Sequence, residues 1–267
     1  LAENVLTKRW KGKMFDACAS GETKIVQLLL KRYNSEESGL NVKDEYDGNT
    51  PFMKACDFGH KDIVKLLLDH AGSNIDVNAT NNYGWTALIM ACHQGNEDVV
   101  KLLLDHSSYE LNARSDEGWT AFNMACERGH KDVVQLLLEH SDRNIDLNAR
   151  DNWKGKTAIM WACGNKDIVK ILLDHANANF DVNATDKCGW TALMSACFYG
   201  YKNIVKLLLD RSGIELNGRS NAGWTAFNLA CENGHKDVVQ LLLEHSDRSI
   251  DLNARVTNVE YDEDTGF

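Results

Sequence analysis

An all-α repeat solenoid built from helix-turn-helix units is the fold class that this 267-residue sequence predicts. After each of six recurring Gly-x-Thr signals come a small-residue Ala-Cys pair, a Gly and an apolar run of the form Ile/Val-Val-x-Leu/Ile-Leu-Leu. The successive spacings of the signals are 36, 34, 37, 34 and 34 residues. A unit this short cannot bury its apolar face alone, so the units must stack on one another. The signals begin at Gly48, Gly84, Gly118, Gly155, Gly189 and Gly223.

Each unit predicts two short helices, as its third copy illustrates. Thr86 is a good N-cap, and the apolar segment 87–92 follows it. Gly95 stands where the first helix must end in a left-handed cap. Acidic residues at 97–98 begin the second helix, where the helix dipole favours them, and the apolar residues within 99–104 supply its buried side. The stretches between helix pairs predict tight turns or hairpins.

Seven such units account for most of the chain, and the first of them is degenerate. We expect residues 1–255 to form a single repeat domain. Residues 256–267 form either an acidic tail or the start of a truncated eighth unit, because Asp264-Thr265-Gly266-Phe267 is similar to the opening of a unit. The predicted units span 10–41, 44–78, 81–112, 115–148, 151–183, 186–217 and 220–253.

The sequence also repeats over a longer interval, which spans three of the repeats of about 34 residues. Residues 114–150 and 219–255 differ at only five of 37 positions, at an offset of 105. Units two to four and units five to seven therefore derive from one duplicated triplet.

The repeated pattern resembles that of the ankyrin repeat family, which is D-x-x-G-x-T-P-L-H-x-A-A-x-x-G-H followed by (I/V)-V-x-x-L-L and D-V-N-A. The resemblance extends over nearly the whole chain and implies an ankyrin repeat array whose helix pairs are joined by β-hairpin-like loops. Two departures stand out. The Thr-Pro start survives only at Pro51 and is Thr-Ala elsewhere, and unit five lacks two residues between Cys163 and Gly164.

Seven of the eight cysteines occupy one position of the repeat, the second small residue of the first helix. Stacked helices lie roughly 8–10 Å apart, whereas a disulfide needs Cα atoms within about 7 Å and zinc needs ligands at about 2.3 Å. We therefore expect buried free thiols, no metal site and no cofactor, with Cys188 exposed in a hairpin. Eight free thiols favour a reducing, cytoplasmic location. The seven are Cys18, Cys56, Cys92, Cys126, Cys163, Cys197 and Cys231.

The composition narrows the function classes. A formal net charge of −10 argues against nucleic acid and against an anionic membrane, since both need a basic face. No apolar run approaches the ~18–20 residues of a membrane span. No H-E-x-x-H, G-x-S-x-G, C-x-x-C or G-x-G-x-x-G motif occurs, so the sequence does not predict an enzyme.

The resemblance implies that partners bind at the hairpin tips and at the exposed end of each first helix, which together line a concave face. Trp, Tyr and Arg are the residue types enriched in binding hot spots. For the repeated tryptophans two roles stay open, packing on the next hairpin or contact with a partner. The candidate contact residues are Tyr46, Phe58, Tyr83, Trp85, Arg114, Trp119, Arg128, Trp153, Trp190, Phe198, Tyr199 and Trp224.

The function that this pattern favours is a monomeric, non-catalytic scaffold that presents a rigid concave surface to a protein or peptide. The alternative is a targeting segment of a larger enzyme, channel or effector whose activity lies outside this chain. The sequence leaves the identity of the partner open.

Overall fold

In the computed structural model, the described residues are 2–32, 40–71, 75–106, 109–140, 145–175, 180–245, 250–254 and 256. This part of the chain contains fourteen α-helices and no β-strand, and the helices come in pairs, one pair for each predicted repeat. The helix-pair units of the sequence are called repeats one to seven from here on. The chain as a whole divides into two larger compact parts, residues 1–146 and residues 147–267, called unit 1 and unit 2 below. The segment predicted to open an eighth repeat, 264–267, lies outside the described residues.

Unit 1 holds the first four helix pairs, and its odd-numbered helices pack in one row while its even-numbered helices pack in a second row. Core side chains such as Phe52, Ile63 and Ile89 are 1% exposed or less. The helices are α1 (Ala2–Ser20), α2 (Thr23–Arg32), α3 (Pro51–Asp57), α4 (Lys61–Ala71), α5 (Ala87–Gln94), α6 (Glu97–Asp105), α7 (Ala121–Arg128) and α8 (Lys131–Glu139).

Unit 2 repeats this arrangement with three pairs, of which the first is irregular. Its helices are α9 (Ala158–Trp161), α10 (Lys166–His175), α11 (Ala192–Phe198), α12 (Lys202–Leu209), α13 (Ala226–Glu232) and α14 (Lys236–Glu244). Helix α9 has four residues and continues as a 3₁₀ turn, Ala162–Gly164, because two residues are missing at this point of the repeat.

The predicted helix caps are confirmed, with one exception. Thr86 lies in an extended conformation and its hydroxyl accepts a hydrogen bond from the Ile89 N–H, and Gly95 closes the helix at φ 74°. Four further repeats use the same threonine cap, at Thr50, Thr120, Thr191 and Thr225. In repeat five, the Thr157 hydroxyl is buried and has no hydrogen-bond partner among the described residues.

The asparagine of each Asp-Val-Asn-Ala segment links its repeat to the next one. The side-chain oxygen of Asn41 accepts a hydrogen bond from the Asp76 N–H at 3.0 Å, and the Asn78 oxygen accepts one from the Glu110 N–H at 2.7 Å. Unit 2 has equivalent bonds from Asp181, Glu215 and Asp251 to Asn148, Asn183 and Asn217. The Asn ladder, as these bonds are called below, explains why this residue recurs.

A second ladder joins the ends of the first helices. The His60 ring lies 2.9 Å from the Ala19 carbonyl oxygen, and the His235 ring lies 2.9 Å from the Phe198 carbonyl oxygen. Asn96 serves the same purpose by donating to the carbonyls of Cys56 and Asp57.

The cysteine prediction is confirmed at six positions and wrong at two, Cys231 and Cys188. All eight cysteines are free, and Cys18, Cys56, Cys92, Cys126, Cys163 and Cys197 are buried, but Cys231 is exposed. Within unit 2, α13 packs against α11 and so covers Cys197, whereas no described element follows α13 and α14. Leu243 is 43% exposed for the same reason, while its counterpart Leu209 is 2% exposed. Cys188 is half-buried rather than exposed.

None of the described helices has the length and apolar character that a membrane crossing requires.

Candidate functional site

The candidate surface consists of the turns that precede the first helices. In unit 1 these turns are 43–49, 80–85 and 114–119, called tip row 1, and in unit 2 they are 150–156, 185–190 and 219–224, called tip row 2. Each turn is closed by a backbone hydrogen bond, such as Asn81 N–H to Trp85 O at 3.0 Å and Asp186 N–H to Trp190 O at 2.9 Å.

A polar side chain at the start of each turn fixes its backbone. The Asp44 carboxylate accepts hydrogen bonds from the N–H groups of Tyr46, Asp47 and Gly48. Asn81 accepts from Tyr83 and Trp85 in the next turn, both at 2.9 Å. The tips are therefore held in one conformation by local hydrogen bonds.

Neighbouring turns are also bonded to each other. In tip row 1, the Asn82 N–H donates to the Asp47 carbonyl at 2.8 Å and the Asp116 N–H donates to the Tyr83 carbonyl at 3.1 Å. In tip row 2, the Lys187 N–H donates to the Lys154 carbonyl at 2.9 Å and the Asn221 N–H donates to the Cys188 carbonyl at 2.9 Å. Each tip row is a connected hydrogen-bonded surface.

The twelve predicted contact residues differ in their exposure to solvent. Seven are exposed, namely Tyr46, Phe58, Tyr83, Arg114, Arg128, Trp153 and Tyr199, and Tyr46 reaches 89%. Three are half-buried, namely Trp85, Phe198 and Trp224. Trp119 and Trp190 are 7% and 8% exposed, so their rings are packing groups, and a contact role for them stays a prediction.

Repeat six gathers four aromatic side chains. The Trp190 and Phe198 rings meet edge-to-face with centroids 5.3 Å apart, and Phe198 meets Tyr199 at 4.9 Å. Tyr199 stacks in turn on Tyr201 at 5.6 Å. In unit 1, the equivalent of the first pair is Trp85 with His93, at 5.1 Å. The exposed aromatic side chains of unit 1 are spread out: Tyr46 and Tyr83 lie on separate turns, and Phe58 stacks on His60 with ring centroids 6.3 Å apart.

The two tip rows carry opposite charge. Tip row 1 has a formal charge of −3 and tip row 2 has a formal charge of +3, counted over their segments. The charged residues of tip row 1 are Lys43, Asp44, Glu45, Asp47, Arg114, Asp116 and Glu117. Those of tip row 2 are Arg150, Asp151, Lys154, Lys156, Asp186, Lys187 and Arg219.

In repeat five, sequence reasoning named Trp153 as a contact residue but missed Lys154, Lys156 and Trp161 beside it. The Lys154 ammonium lies 4.5 Å from the centre of the Trp153 ring, and the Lys156 ammonium lies 4.8 Å from the centre of the Trp161 ring. The signal was available in the sequence: Lys156 stands where repeats three, four, six and seven have Trp, and Trp161 stands where Met90 and Met124 occur.

Partial burial shifts the pKa values of three ionisable groups on or beside these surfaces. Burial, and then the neighbouring Lys154, lower the pKa of the Lys156 ammonium. Burial raises the pKa of the Asp186 carboxyl, against the opposing effect of the hydrogen bonds from the N–H groups of Trp190 and Cys188. In unit 1, burial and then Arg128 lower the pKa of His93.

Among the described residues, no group of three His, Cys, Asp or Glu side chains is placed to hold a metal ion.

Known proteins share this repeat pattern. The sequence model described as "Ankyrin repeats (3 copies)" matches residues 14–115, 107–186 and 177–256. The human protein fem-1 homolog C is 30% identical over 73 residues, which are 27% of this chain and 12% of that protein. The Drosophila melanogaster ankyrin repeat and KH domain-containing protein mask is 43% identical over 63 residues, which are 24% of this chain and 1% of that protein.

The zebrafish (Danio rerio) protein fem-1 homolog A gives the same picture, with 30% identity over 26% of this chain and 11% of that protein. The chain thus matches about an eighth of the length of the two fem-1 relatives and about a hundredth of the length of mask. Among solved structures, the ankyrin repeat domain of Bcl-3, a member of the IkappaB protein family, superposes with a TM-score of 0.72 at 26% identity. That superposition covers 87% of this chain and 97% of the Bcl-3 domain.

Proposed function

Because this chain belongs to the ankyrin repeat family, we propose that it is a non-catalytic interaction module that binds a protein or peptide partner through its two tip rows. The observation that carries this proposal is the exposure of large aromatic side chains on turns whose backbones are fixed. Tyr46, Tyr83 and Trp153 are 89%, 57% and 62% exposed, so their apolar rings contribute little to the folded core.

The energetics favour binding at these turns. Association loses free energy when loops and side chains become ordered, and hydrogen bonds between the turns have already ordered their backbones. Aromatic side chains add large contact areas with few rotatable bonds. The tip rows therefore combine low ordering cost with the residue types that dominate binding hot spots.

The duplicated segments support the same surface. Of the five differences between 114–150 and 219–255, three fall on a tip or a first-helix end, and all of these residues except the half-buried Ala222 are exposed: Asp116 against Asn221, Glu117 against Ala222, and Arg128 against Asn233. The buried difference, Met124 against Leu229, exchanges one apolar side chain for another, whereas the tip differences change charge, as expected if the tips meet different parts of a partner.

Alanine substitution at the tips tests the proposal. Three proteins are compared: the whole chain, which serves as the bait, its variant Tyr46→Ala/Tyr83→Ala, and its variant Trp153→Ala. A partner captured by the whole chain and identified by mass spectrometry is purified, and its affinity for each bait is measured by calorimetry. We expect the tip variants to weaken binding by about tenfold or more, since buried aromatic anchors contribute 2 kcal/mol or more, roughly, to an interface.

The matched control is Lys65→Ala/Lys101→Ala, which changes exposed residues of the second helices α4 and α6. Its affinity should stay within about twofold of the parent chain, in keeping with surface substitutions outside an interface. Equal losses in the control and the tip variants, or unchanged affinity in the tip variants, would contradict binding through the tip rows.

A second candidate function is that of a targeting segment within a longer protein. It is favoured by the relatives, in which the matching repeats make up only 1% to 12% of the protein. Determining the complete reading frame tests it, and a frame that encodes only these repeats would count against it.

We also propose that the protein works in a reducing compartment. Burial raises the pKa of the Cys18 and Cys163 thiols to about 12, so these groups stay protonated and packed. Burial raises the pKa of Cys231 as well, but its side chain is exposed and so open to oxidation, and refolding yields that are unaffected by omitting reductant would argue against this location.

A further inference from the structure

We propose that Lys154 and Lys156, with the rings of Trp153 and Trp161, form a site for an acidic segment of a partner protein. The inference rests on the proposed function and specifies the chemistry of the ligand at one part of tip row 2. The occupant is an extended peptide segment whose carboxylates meet the two ammonium groups while its apolar side chains pack on the exposed indole of Trp153.

The first step is that neither lysine is in direct contact with a carboxylate, although Asp151 and Asp186 lie near enough to attract the Lys156 ammonium. Within the described part of the chain, no carboxylate oxygen lies within 4.0 Å of either ammonium group. Each ammonium lies instead over an indole ring, at 4.5 Å and 4.8 Å from the ring centres. Cation–π contact holds the charges in place without neutralising them.

The nearest acidic groups are engaged by hydrogen bonds from their own turns. The Asp151 carboxylate accepts from the N–H groups of Lys154 and Lys156 at 2.6 Å and 2.7 Å, and from the Trp161 indole N–H at 3.1 Å. Asp186 accepts from the N–H groups of Cys188 and Trp190 at 2.9 Å and 2.8 Å. These carboxylates shape the turns, and so an external carboxylate can still gain by pairing with the lysines.

The site is held rigidly. The Lys187 ammonium donates to the Asn152 carbonyl at 2.6 Å, and the Arg150 guanidinium donates to the Thr185 carbonyl. Together with the backbone bond from Lys187 to Lys154, these contacts fasten the turn of repeat five to that of repeat six. A ligand would meet an ordered pair of charges, which lowers the cost of binding.

The departure of repeat five from its neighbours creates the site. In repeat six, Trp190 precedes the capping threonine and packs on Phe198 at the end of the first helix. In repeat five, two residues are missing there, and the seventh residue after the threonine is Gly164 instead of an aromatic residue. A lysine takes the place of the tryptophan, and its ammonium rests on Trp161, which belongs to the helix itself.

Charge complementarity selects an acidic occupant. Tip row 2 carries a formal charge of +3 in a chain whose net charge is −10. An acidic segment is attracted to tip row 2 and repelled by tip row 1, so the charge pattern directs such a segment to repeat five.

The experiment uses the whole chain and three labelled dodecapeptides that differ only at four positions, occupied by Glu, Gln or Lys between Ser and Leu residues. Fluorescence anisotropy measures the three dissociation constants. We expect the Glu peptide to bind about tenfold more tightly than the Gln peptide, and the Lys peptide to show no binding that depends on Lys154 and Lys156. Raising NaCl from about 0.05 M to 0.5 M should weaken the Glu peptide several-fold, because salt screens exposed charges.

The variant Lys154→Gln/Lys156→Gln should weaken the Glu peptide about tenfold and leave the Gln peptide unchanged. The matched control, Lys166→Gln/Lys170→Gln, makes the same charge change on exposed residues at the start of α10 and should change the Glu affinity less than twofold. Circular dichroism melts verify that both variants fold like the parent chain.

Equal affinities for the Glu and Gln peptides, or equal losses in the variant and its control, would overturn the proposal. A salt-sensitive dimer in sedimentation that disappears in Lys154→Gln/Lys156→Gln would also overturn it, because the acidic occupant would then be tip row 1 of a second copy. If only the acidic-ligand proposal is wrong, Trp153→Ala still weakens the affinity for a captured partner, while Lys154→Gln/Lys156→Gln leaves that affinity unchanged. If the proposed function is wrong, neither variant changes it.

Discussion

Residues 114–150 and 219–255 are nearly the same peptide in two places, and their side chains differ sharply in exposure. Cys126 is 1% exposed and Cys231 is exposed, Leu138 is 4% exposed and Leu243 is 43% exposed, and Leu147 is 7% exposed against 59% for Leu252. Since the residue types are identical, sequence alone does not set their burial. A repeat supplies a face, and only a packed neighbour turns that face into core.

Thiol labelling gives the largest contrast between the two copies. In native protein, Cys231 should react with a maleimide about 100-fold faster than Cys126 or more, because a buried thiol reacts only after local opening, and about 3 kcal/mol of opening free energy corresponds to that factor. Peptide mapping by mass spectrometry at timed intervals measures both rates. Equal rates would mean that the face containing Cys126 opens as freely as the end face.

Truncation of the paired phenylalanines is the next largest effect. Phe122 is 2% exposed, whereas Phe227 is half-buried. Phe122→Ala should lower the free energy of unfolding by about 3–5 kcal/mol and Phe227→Ala by about half of that, since less apolar area and a smaller cavity are involved. Urea titrations followed by circular dichroism compare the two variants. A larger loss of unfolding free energy in Phe227→Ala would contradict the idea that a neighbouring repeat must cover a side chain before it stabilises the fold.

The threonine caps extend the comparison to repeat five. Thr120 caps its helix through a hydrogen bond of 3.1 Å from the Asn123 N–H, whereas the buried Thr157 hydroxyl is unbonded among the described residues. Thr120→Val should cost about 1 kcal/mol, and Thr157→Val should cost nothing or stabilise the protein, because it removes an unsatisfied polar group. Thermal melts of the two single variants decide, and equal losses would show that both hydroxyls are bonded.

The smallest expected effect concerns pH and the aligned pairs Trp85–His93 and Trp190–Phe198. Burial and Arg128 lower the pKa of His93 in the native state. Between the lowered native value and the ordinary unfolded value of about 6.5, the unfolded chain binds a proton that the native chain does not, so stability falls as the pH falls through this window.

His93→Phe should remove this contribution and make the stability difference between pH 7 and pH 5 smaller than in the parent chain. Phe198→Leu, at the aligned position of repeat six, is the control and should leave the pH dependence unchanged. Urea midpoints at several pH values measure both variants, and an unchanged slope in His93→Phe would contradict the native-state shift.

Local signals made much of the fold predictable. Thr86, Gly95 and the apolar run after Gly95 each specify a backbone conformation or a buried face within a few residues, and the structure follows them. The exposure of Cys231 was not predictable in this way, because it depends on what lies beyond the repeat. The twelve candidate contact residues were chosen as tips or first-helix ends, and that choice did not distinguish the exposed Trp153, which precedes Gly155, from the buried Trp119, which follows Gly118.

The lysine site of repeat five was missed for a different reason. The repeat pattern directs attention to residues that recur, whereas Lys156 and Trp161 matter because they depart from it. Their pairing depends on a helix shortened by two residues, and only the three-dimensional structure shows that the ammonium of one reaches the ring of the other.

The Asn ladder has a direction. In each of its bonds, the acceptor oxygen belongs to the earlier repeat and the donor N–H to the later one, as in Asn41 with Asp76 and Asn183 with Glu215. A ribosome makes the acceptor first, so within each unit every newly synthesised repeat meets a finished edge that already presents its oxygens. The ladder thus suits assembly in the order of translation, with each new repeat donating its N–H to an acceptor that is already in place.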